Sequence, residues 1–187
     1  MFGNILIDPW FWAFLAAVGW GMGIGFVASK TLGRSLGLGI GMFILAEVPR
    51  IILPLGFVSQ PRIQSGSWFI AIGAAIFAAS LYFGTPVFRI VPLTGPNRRE
   101  PLRTNGLYSV VRHPLMLCDI LWPVGWSLMF GSVIGVLLSP VWLLLIWILT
   151  YSEEESLVRE YGDVYREFQA HVPRLFPSFG GKRSAVH

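Results

Sequence analysis

The sequence predicts an all-α integral membrane protein with five transmembrane helices and a polar site at one membrane face. Three observations lead there. The 187-residue chain is 54% hydrophobic and 13% charged, against about 25% charged in ordinary soluble domains. Its apolar residues, eight tryptophans and fourteen phenylalanines among them, gather into runs near the ~20 residues that a membrane helix needs. Its basic residues also fall into a pattern that a count of five spans explains.

The first span is expected over Pro9 to Ser29, the second over Leu36 to Val58 and the third over Trp68 to Phe88. From Pro114 to Tyr151 the chain is uncharged except for Asp119. As one helix those residues would measure about 57 Å, nearly twice the ~30 Å hydrocarbon core. They must therefore fold back, near Gly131-Ser132 or Ser139-Pro140, and supply spans four and five. Twelve of the fourteen Lys and Arg residues then lie in the first loop, the third loop and the tail, all on one side. Arg62 lies on the other side, and Arg50 lies within the second span. The positive-inside rule puts the third loop and C-terminus in the cytoplasm and the N-terminus outside. No basic residue precedes Lys30, so the first span is expected to remain as an anchor rather than a cleaved signal. The net charge of +4 follows from this topology and does not call for a nucleic-acid partner. A single cysteine, Cys118, excludes an intramolecular disulfide and most cysteine-based metal sites; it reads as a small buried apolar residue.

The polar residues that interrupt this pattern are the places for chemistry. Asn105-Gly106 marks a turn, and Tyr108, Arg112 and His113 follow just ahead of Pro114, which suits the first position of a helix. The N–H groups of a helix start favour an anion, so this junction reads either as an anion-and-ring site or as a simple membrane border marked by Arg112. Beyond the last apolar run stand Glu153, Glu154 and Glu155. At 100° per residue at most two of them face one site; alone they read as a solvated helix surface, the alternative being carboxylates that offset a cationic ligand. Interleaved aromatic and basic residues from Tyr161 to Arg174 suit a segment lying on the anionic cytoplasmic surface. Within the second span, Glu47 and Arg50 share a helical face and form either an ion pair or part of a substrate entrance. Asp119 is a further inward-facing candidate.

Taken together, Gly106-x-Tyr108-x-x-x-Arg112-His113-Pro114, Glu153-Glu154-x-x-Leu157, Tyr161-Gly162-x-x-Tyr165 and Val172-Pro173 resemble the pattern of the isoprenylcysteine carboxyl methyltransferases, in a short prokaryotic or archaeal form related to the phospholipid methyltransferases. The similarity covers about residues 100–177. It implies a single membrane methyltransferase domain over residues 1–187, with a cytoplasmic cofactor part over about 89–177 that holds S-adenosylmethionine and releases S-adenosylhomocysteine. By this resemblance Glu100, Pro101, Leu102, Arg103, Tyr108, Arg112, His113, Pro114, Leu115, Met116 and Glu153 bind the cofactor. Arg89, Glu154 and Arg174 are the candidate catalytic residues. The chain departs from the family pattern at Met116, where a tyrosine is usual, and at Cys118, where a glycine is usual. His171 stands where a basic residue commonly precedes Val-Pro, and Leu149 where prenylcysteine-specific members carry an arginine.

The reaction the resemblance implies is methyl transfer to the carboxylate of a prenylcysteine-like lipophilic acceptor entering from the bilayer, with membrane lipids as neighbours and no metal or nucleic acid. A carboxylate acceptor is ionised at pH 7 and needs an orienting arginine, Arg89 or Arg174, rather than a base. A phospholipid amine would need Glu154 or His113 as the base, and a thiol acceptor is a third possibility. A different class, a non-enzymatic membrane subunit or small transporter, finds its support in Glu47, Arg50 and Asp119.

Overall fold

The computed structural model describes residues 2–28, 36–63, 66–88 and 101–177. Arg89 and Glu100 lie outside these residues, as do Lys30 and Arg34. The described residues form helices and turns without a strand, joined at one point by an isolated bridge between Arg62 and Ser132. A short 3-10 helix, Phe2–Ile7, leads into α1 (Pro9–Ala28); α2 (Leu36–Ile52), α3 (Ser67–Phe88) and α4 (Pro114–Met129) follow. A second 3-10 turn, Gly106–Ser109, precedes α4; α5 (Val133–Leu137), α6 (Ser139–Tyr161) and α7 (Asp163–His171) complete the fold. One helical stretch among the described residues, Val133–Tyr161, is long and apolar enough to cross a membrane; Trp68–Tyr82 and Pro114–Met129 are shorter apolar helices.

The fold-back between the fourth and fifth apolar segments is at Gly131-Ser132. Gly131 adopts a positive φ of 62°, a conformation that favours glycine. Ser132 then caps α5 by accepting a hydrogen bond from the Gly135 amide at 2.9 Å, as N-cap serines do. The second apolar segment was expected to continue to Val58, but α2 ends at Ile52. Pro54 explains the stop, because a proline drives the residue before it out of helical geometry. The carbonyls freed there find donors further along the chain. Gln60 donates to Leu53 O at 2.5 Å, and Arg62 donates to Pro54 O at 2.5 Å, Leu55 O at 2.5 Å and Val58 O at 2.9 Å.

The helices assemble through close backbone approach and aromatic packing. α3 lies along α4, and α1 packs on both α2 and α6. A Cβ at Gly125 would fall 2.6 Å from Phe77 N and 2.7 Å from Gly73 O; one at Gly19 would fall 2.6 Å from the carbonyl carbon of Leu45. Small residues at such crossings are how apolar helices gain van der Waals contact in lipid, where no hydrophobic force holds them together. Between α1, α2 and α6 lies a core of Ala16, Trp20, Ala46, Trp142, Ile146 and Leu149, with Met116 and Ile120 of α4 against it.

Glu47, Arg50 and Asp119 meet at this core. Arg50 donates to both Glu47 oxygens at 2.8 and 3.0 Å, to the Asp119 carboxylate at 3.3 Å and to the Asp119 backbone carbonyl at 2.7 Å. Its guanidinium faces the rings of Trp122, Trp20 and Trp142 at 5.1, 5.4 and 5.8 Å. The Glu47–Arg50 pair is thus one part of a larger cluster to which α1, α2, α4 and α6 all contribute.

Replacing Gly125 by Val is expected to force α3 and α4 apart and lower the melting temperature of the detergent-purified protein, at a cost of about 1–3 kcal/mol. Gly21→Ala is its control and should leave the melting temperature unchanged, since a Cβ at Gly21 meets nothing within 4 Å.

Candidate active site

α7 is the element that assembles the polar end of the molecule. Its spacing of Tyr165, Phe168 and Val172 places three apolar groups on one helical face, and that face packs on Leu102, Tyr108, Leu157, Val158 and Tyr161. In this segment, whose interleaved aromatic and basic residues suit a membrane surface, Tyr165 and Phe168 are buried against the rest of the chain; Tyr165 is 1% exposed. A positive-φ glycine, Gly162, forms the corner between α6 and α7. Docking α7 brings the tail back to the start of α4. There the Arg112 amide donates to Pro173 O at 2.9 Å and the His113 amide to Arg174 O at 3.1 Å.

Glu154 lies at the centre of this junction. Its Oε1 accepts from Arg112 Nε at 2.7 Å and contacts His113 Nε2 at 3.2 Å. Its Oε2 accepts from Arg174 Nη2 at 2.6 Å and from Gln169 Nε2 at 3.1 Å. Arg112 also donates to the backbone carbonyls of Gln169, at 2.9 Å, and of Val172. Glu153 sits 3.3 Å from His113 Nδ1, so the two adjacent glutamates of α6 grip opposite edges of one imidazole. Burial pulls the His113 pKa down, but its contacts with Glu153 and Glu154 raise it further, to about 9 against an ordinary 6.5. Both ring nitrogens therefore carry protons at neutral pH. For Arg174, burial lowers the pKa, and the hydrogen bond to Glu154 more than restores it. The Arg174 guanidinium stacks on Tyr151 at 3.8 Å and faces Trp147 at 5.3 Å.

The sequence-predicted residues fall into three groups. Arg112, His113, Glu153, Glu154 and Arg174 meet directly, and Pro114 opens α4 immediately beside them. Tyr108 stands close by: burial raises its phenol pKa, and the Glu153 charge adds to that shift. Pro101, Leu102 and Arg103, with Thr104 and Asn105, line an open cleft of about 270 Å³ on the approach to this junction. Leu115 is half-buried in the first turn of α4, whereas Met116 points into the apolar core. Gln169, Trp147 and Tyr151 join the site without a sequence signal, and Tyr165 had only its place in the Tyr-Gly-x-x-Tyr element. A helical glutamine 15 residues from Glu154 and 57 from Arg112 carries nothing local to mark it.

Two buried polar atoms around this junction lack a hydrogen-bond partner, Arg174 Nη1 and Tyr165 Oη, while Glu153 Oε2 is the oxygen that faces His113 Nδ1. Buried polar groups are nearly always satisfied, so two donors left open beside one cluster suit a ligand bearing an acceptor such as a carboxylate.

Two outcomes test these contacts. Glu154→Gln strands the cations of Arg112, His113 and Arg174 and is expected to destabilise the protein by about 3 kcal/mol or more, read as a fall in melting temperature. Because the His113 pKa is higher folded than unfolded, its contribution is complete below pH 6.5 and is lost as pH rises through about 9. The melting temperature should fall across that window, and His113→Gln should flatten the fall.

Comparison with known proteins gives this geometry a family. The phospholipid methyltransferase family matches residues 68–164. The protein-S-isoprenylcysteine O-methyltransferase of Schizosaccharomyces pombe is 25% identical over 125 residues, covering 66% of this chain and 52% of that protein. Methanethiol S-methyltransferase 2 of Bradyrhizobium diazoefficiens is 32% identical over 98 residues, covering 51% of this chain and 35% of that protein. The protein-S-isoprenylcysteine O-methyltransferase of Mus musculus is 25% identical over 122 residues, covering 63% and 42%. The chain thus spans about half or less of the length of these relatives, and no solved structure matches it. The family match takes in α3, α4, α5, all of α6 with its glutamates, and the start of α7, over half of the sequence, and the chain belongs to the phospholipid methyltransferase family.

Proposed function

We propose that this protein is an S-adenosylmethionine-dependent methyltransferase embedded in the membrane, acting on the carboxylate of a prenylcysteine-like lipophilic acceptor. One observation carries the reading: Glu154 draws Arg112 and His113, from before α4, and Arg174, from the tail, into one buried cluster, leaving open hydrogen-bond donors beside it. The cluster's charges support it further. Three cations, Arg112, protonated His113 and Arg174, face two carboxylates, Glu153 and Glu154. One unit of positive charge is left for an anion.

In this reading Glu153, whose side chain is partly exposed beside His113, receives the cofactor's ammonium or ribose. The N–H groups at the start of α4 receive its carboxylate, and Pro101, Leu102, Arg103 and Tyr108 close around the nucleoside, with Glu100 completing the wrap. When bound, S-adenosylmethionine supplies an electrophilic methyl group on a sulfonium. The protein's own task is then to orient the acceptor and exclude water. Arg174 is suited to orient an anionic acceptor through its open Nη1, and Arg89, at the end of the third apolar segment, is the second arginine proposed for that role. His113 is held protonated and both Glu154 oxygens are engaged, so neither is free to deprotonate a phospholipid amine. That favours a nucleophile already ionised. A thiolate acceptor meets the same condition, and a relative bears the name methanethiol S-methyltransferase.

The membrane setting is part of this proposal. The five apolar segments supply five spans. The stretch Val133–Tyr161 is 29 residues long, about 44 Å at 1.5 Å per residue. Spanning ~30 Å of hydrocarbon leaves its last nine or so residues, from Glu153 on, outside the core. Arg103, Arg112, Arg159, Arg166 and Arg174 share that end, whereas Arg62 caps the other, which orients the site and the C-terminus toward the cytoplasm. In the Glu47–Arg50–Asp119 cluster, the support for a transporter, the buried Arg50 cation is held by both carboxylates and faced by three tryptophans, which favours a structural role.

Isothermal titration with S-adenosylhomocysteine in detergent tests the cofactor assignment, with a micromolar Kd expected and a loss of about tenfold in Glu153→Ala; the absence of any binding overturns it. Transfer of labelled methyl to a panel of prenylcysteine, prenylthiol and phosphatidylethanolamine acceptors tests the acceptor class. A carboxylate ionises near pH 4, so its methylation should be nearly flat between about pH 6 and 8, and a rate rising tenfold per pH unit would identify an amine or thiol.

A further inference from the structure

A second proline break links the membrane interior to the site. Pro123 lies inside α4. Having no N–H, it cannot donate to the carbonyl four residues back, and that carbonyl belongs to Asp119. Arg50 of α2 supplies the missing donor: its Nη2 meets Asp119 O at 2.7 Å. The same guanidinium holds the Asp119 side chain at 3.3 Å and is itself anchored by Glu47 at 2.8 Å. Trp122 Nε1 donates to Asp119 Oδ1 at 2.8 Å, and the ring stacks with Trp20 and Trp142 enclose the cation from α1 and α6. Arg50 is 2% exposed. No other described basic residue reaches this cluster.

We propose that Arg50 is a positioning residue for the cofactor site, acting through α4. Pro123 lies between Gly125, where α4 closely approaches α3, and the leading half of α4, which begins at Pro114 beside the His113 junction. A proline in a helix frees the turn before it to kink. By occupying the vacated Asp119 carbonyl, Arg50 fixes the angle of the leading half against α1, α2 and α6. His113 and the first N–H groups of α4 are thereby aimed at Glu153 and Glu154. The consequence for the cofactor rests on the function proposed above; the pinning of α4 does not. The break and its repair come from separate helices, and neither Pro123 nor Arg50 touches the site itself.

The chain's single cysteine reports on this directly, because Cys118 precedes Asp119 and is buried, at 6% exposure. Three proteins are compared in detergent without any cofactor: the wild type, Glu47→Gln/Arg50→Met, and the same pair with Pro123→Ala. Removing Glu47's charge together with Arg50 avoids stranding it. Pro123→Ala gives α4 its own N–H for the Asp119 carbonyl and removes the need for Arg50. The expected result is N-ethylmaleimide labelling of Cys118 at least tenfold faster in the double variant, restored to within threefold of wild type in the triple variant. Unchanged labelling in the double variant, or fast labelling that persists in the triple, overturns the proposal. Should the double variant not fold, Arg50→Lys serves in its place. One ammonium cannot span both carboxylates and the carbonyl, so labelling should rise at least threefold, and no rise overturns the proposal. S-adenosylhomocysteine affinity is then measured on the same proteins, with a tenfold weakening and its recovery by Pro123→Ala expected. Affinity unmoved by a labelling change overturns the positioning role, whereas a wild type that binds no S-adenosylhomocysteine overturns the cofactor assignment and leaves the labelling result standing.

Discussion

The buried carboxylate of Glu154 is the interaction on which the polar end of this protein depends. A carboxylate away from water is costly unless its lone pairs are filled by donors. Glu154 fills them with Arg112, His113, Gln169 and Arg174, which come from the junction before α4, from α7 and from the tail beyond it. Satisfying one residue of α6 therefore requires three other segments to arrive together. Had α7 lain on a lipid surface, Gln169 and Arg174 would have been out of reach, and Glu154 would face an incomplete shell. The hydrophobic packing of Tyr165 and Phe168 on Leu102 and Tyr108 is what makes that arrival favourable, so an apolar contact outside the site sets up the ionic one within it.

The interior repeats the principle with the signs exchanged. At the Glu154 junction several cations surround a carboxylate; in the helical core two carboxylates surround the Arg50 cation, and aromatic faces take the place of further charges. Between the two clusters stands an apolar layer that includes Met116, Ile146 and Leu149. Both clusters also repair a defect in backbone or side-chain hydrogen bonding, which is the common reason for placing charge in an apolar environment.

For the function proposed above, these arrangements favour alignment of the reactants over acid–base chemistry. An imidazole clamped by Glu153 on one edge and Glu154 on the other is a donor, and its ability to take up a proton at neutral pH has been given away for positional accuracy. Chemistry that asks mainly for alignment of an electrophilic methyl with an already ionised nucleophile suits such a site. The family to which the chain belongs, and the relatives that act on isoprenylcysteine and on methanethiol by name, are consistent with that requirement.

Much of the helical framework was legible from residue order alone, because helix length and apolar run length are local properties. The fold-back at Gly131-Ser132, the start of α4 at Pro114 and the extension of α6 past Tyr151 all follow from glycine, proline and charge placement. The end of α2 at Ile52 was also written locally, in Pro54, but a proline's neighbouring apolar residues masked it. The motif residues Arg112, His113, Glu153 and Glu154 could be named as one group from their resemblance to a family pattern. Their roles could not: which glutamate becomes the hub depends on the rotation of α6 against α4 and α7, and at 100° per residue a single position decides it. The same holds for Arg50, whose sequence neighbours suggest a pair with Glu47 and nothing more. Only the crossing of α2 over α4 brings its guanidinium to the carbonyl that Pro123 left empty. Sequence by itself determined where helices run and which residue types are available; tertiary packing decided which charges meet, because long-range ionic contacts depend on distances that no local pattern encodes.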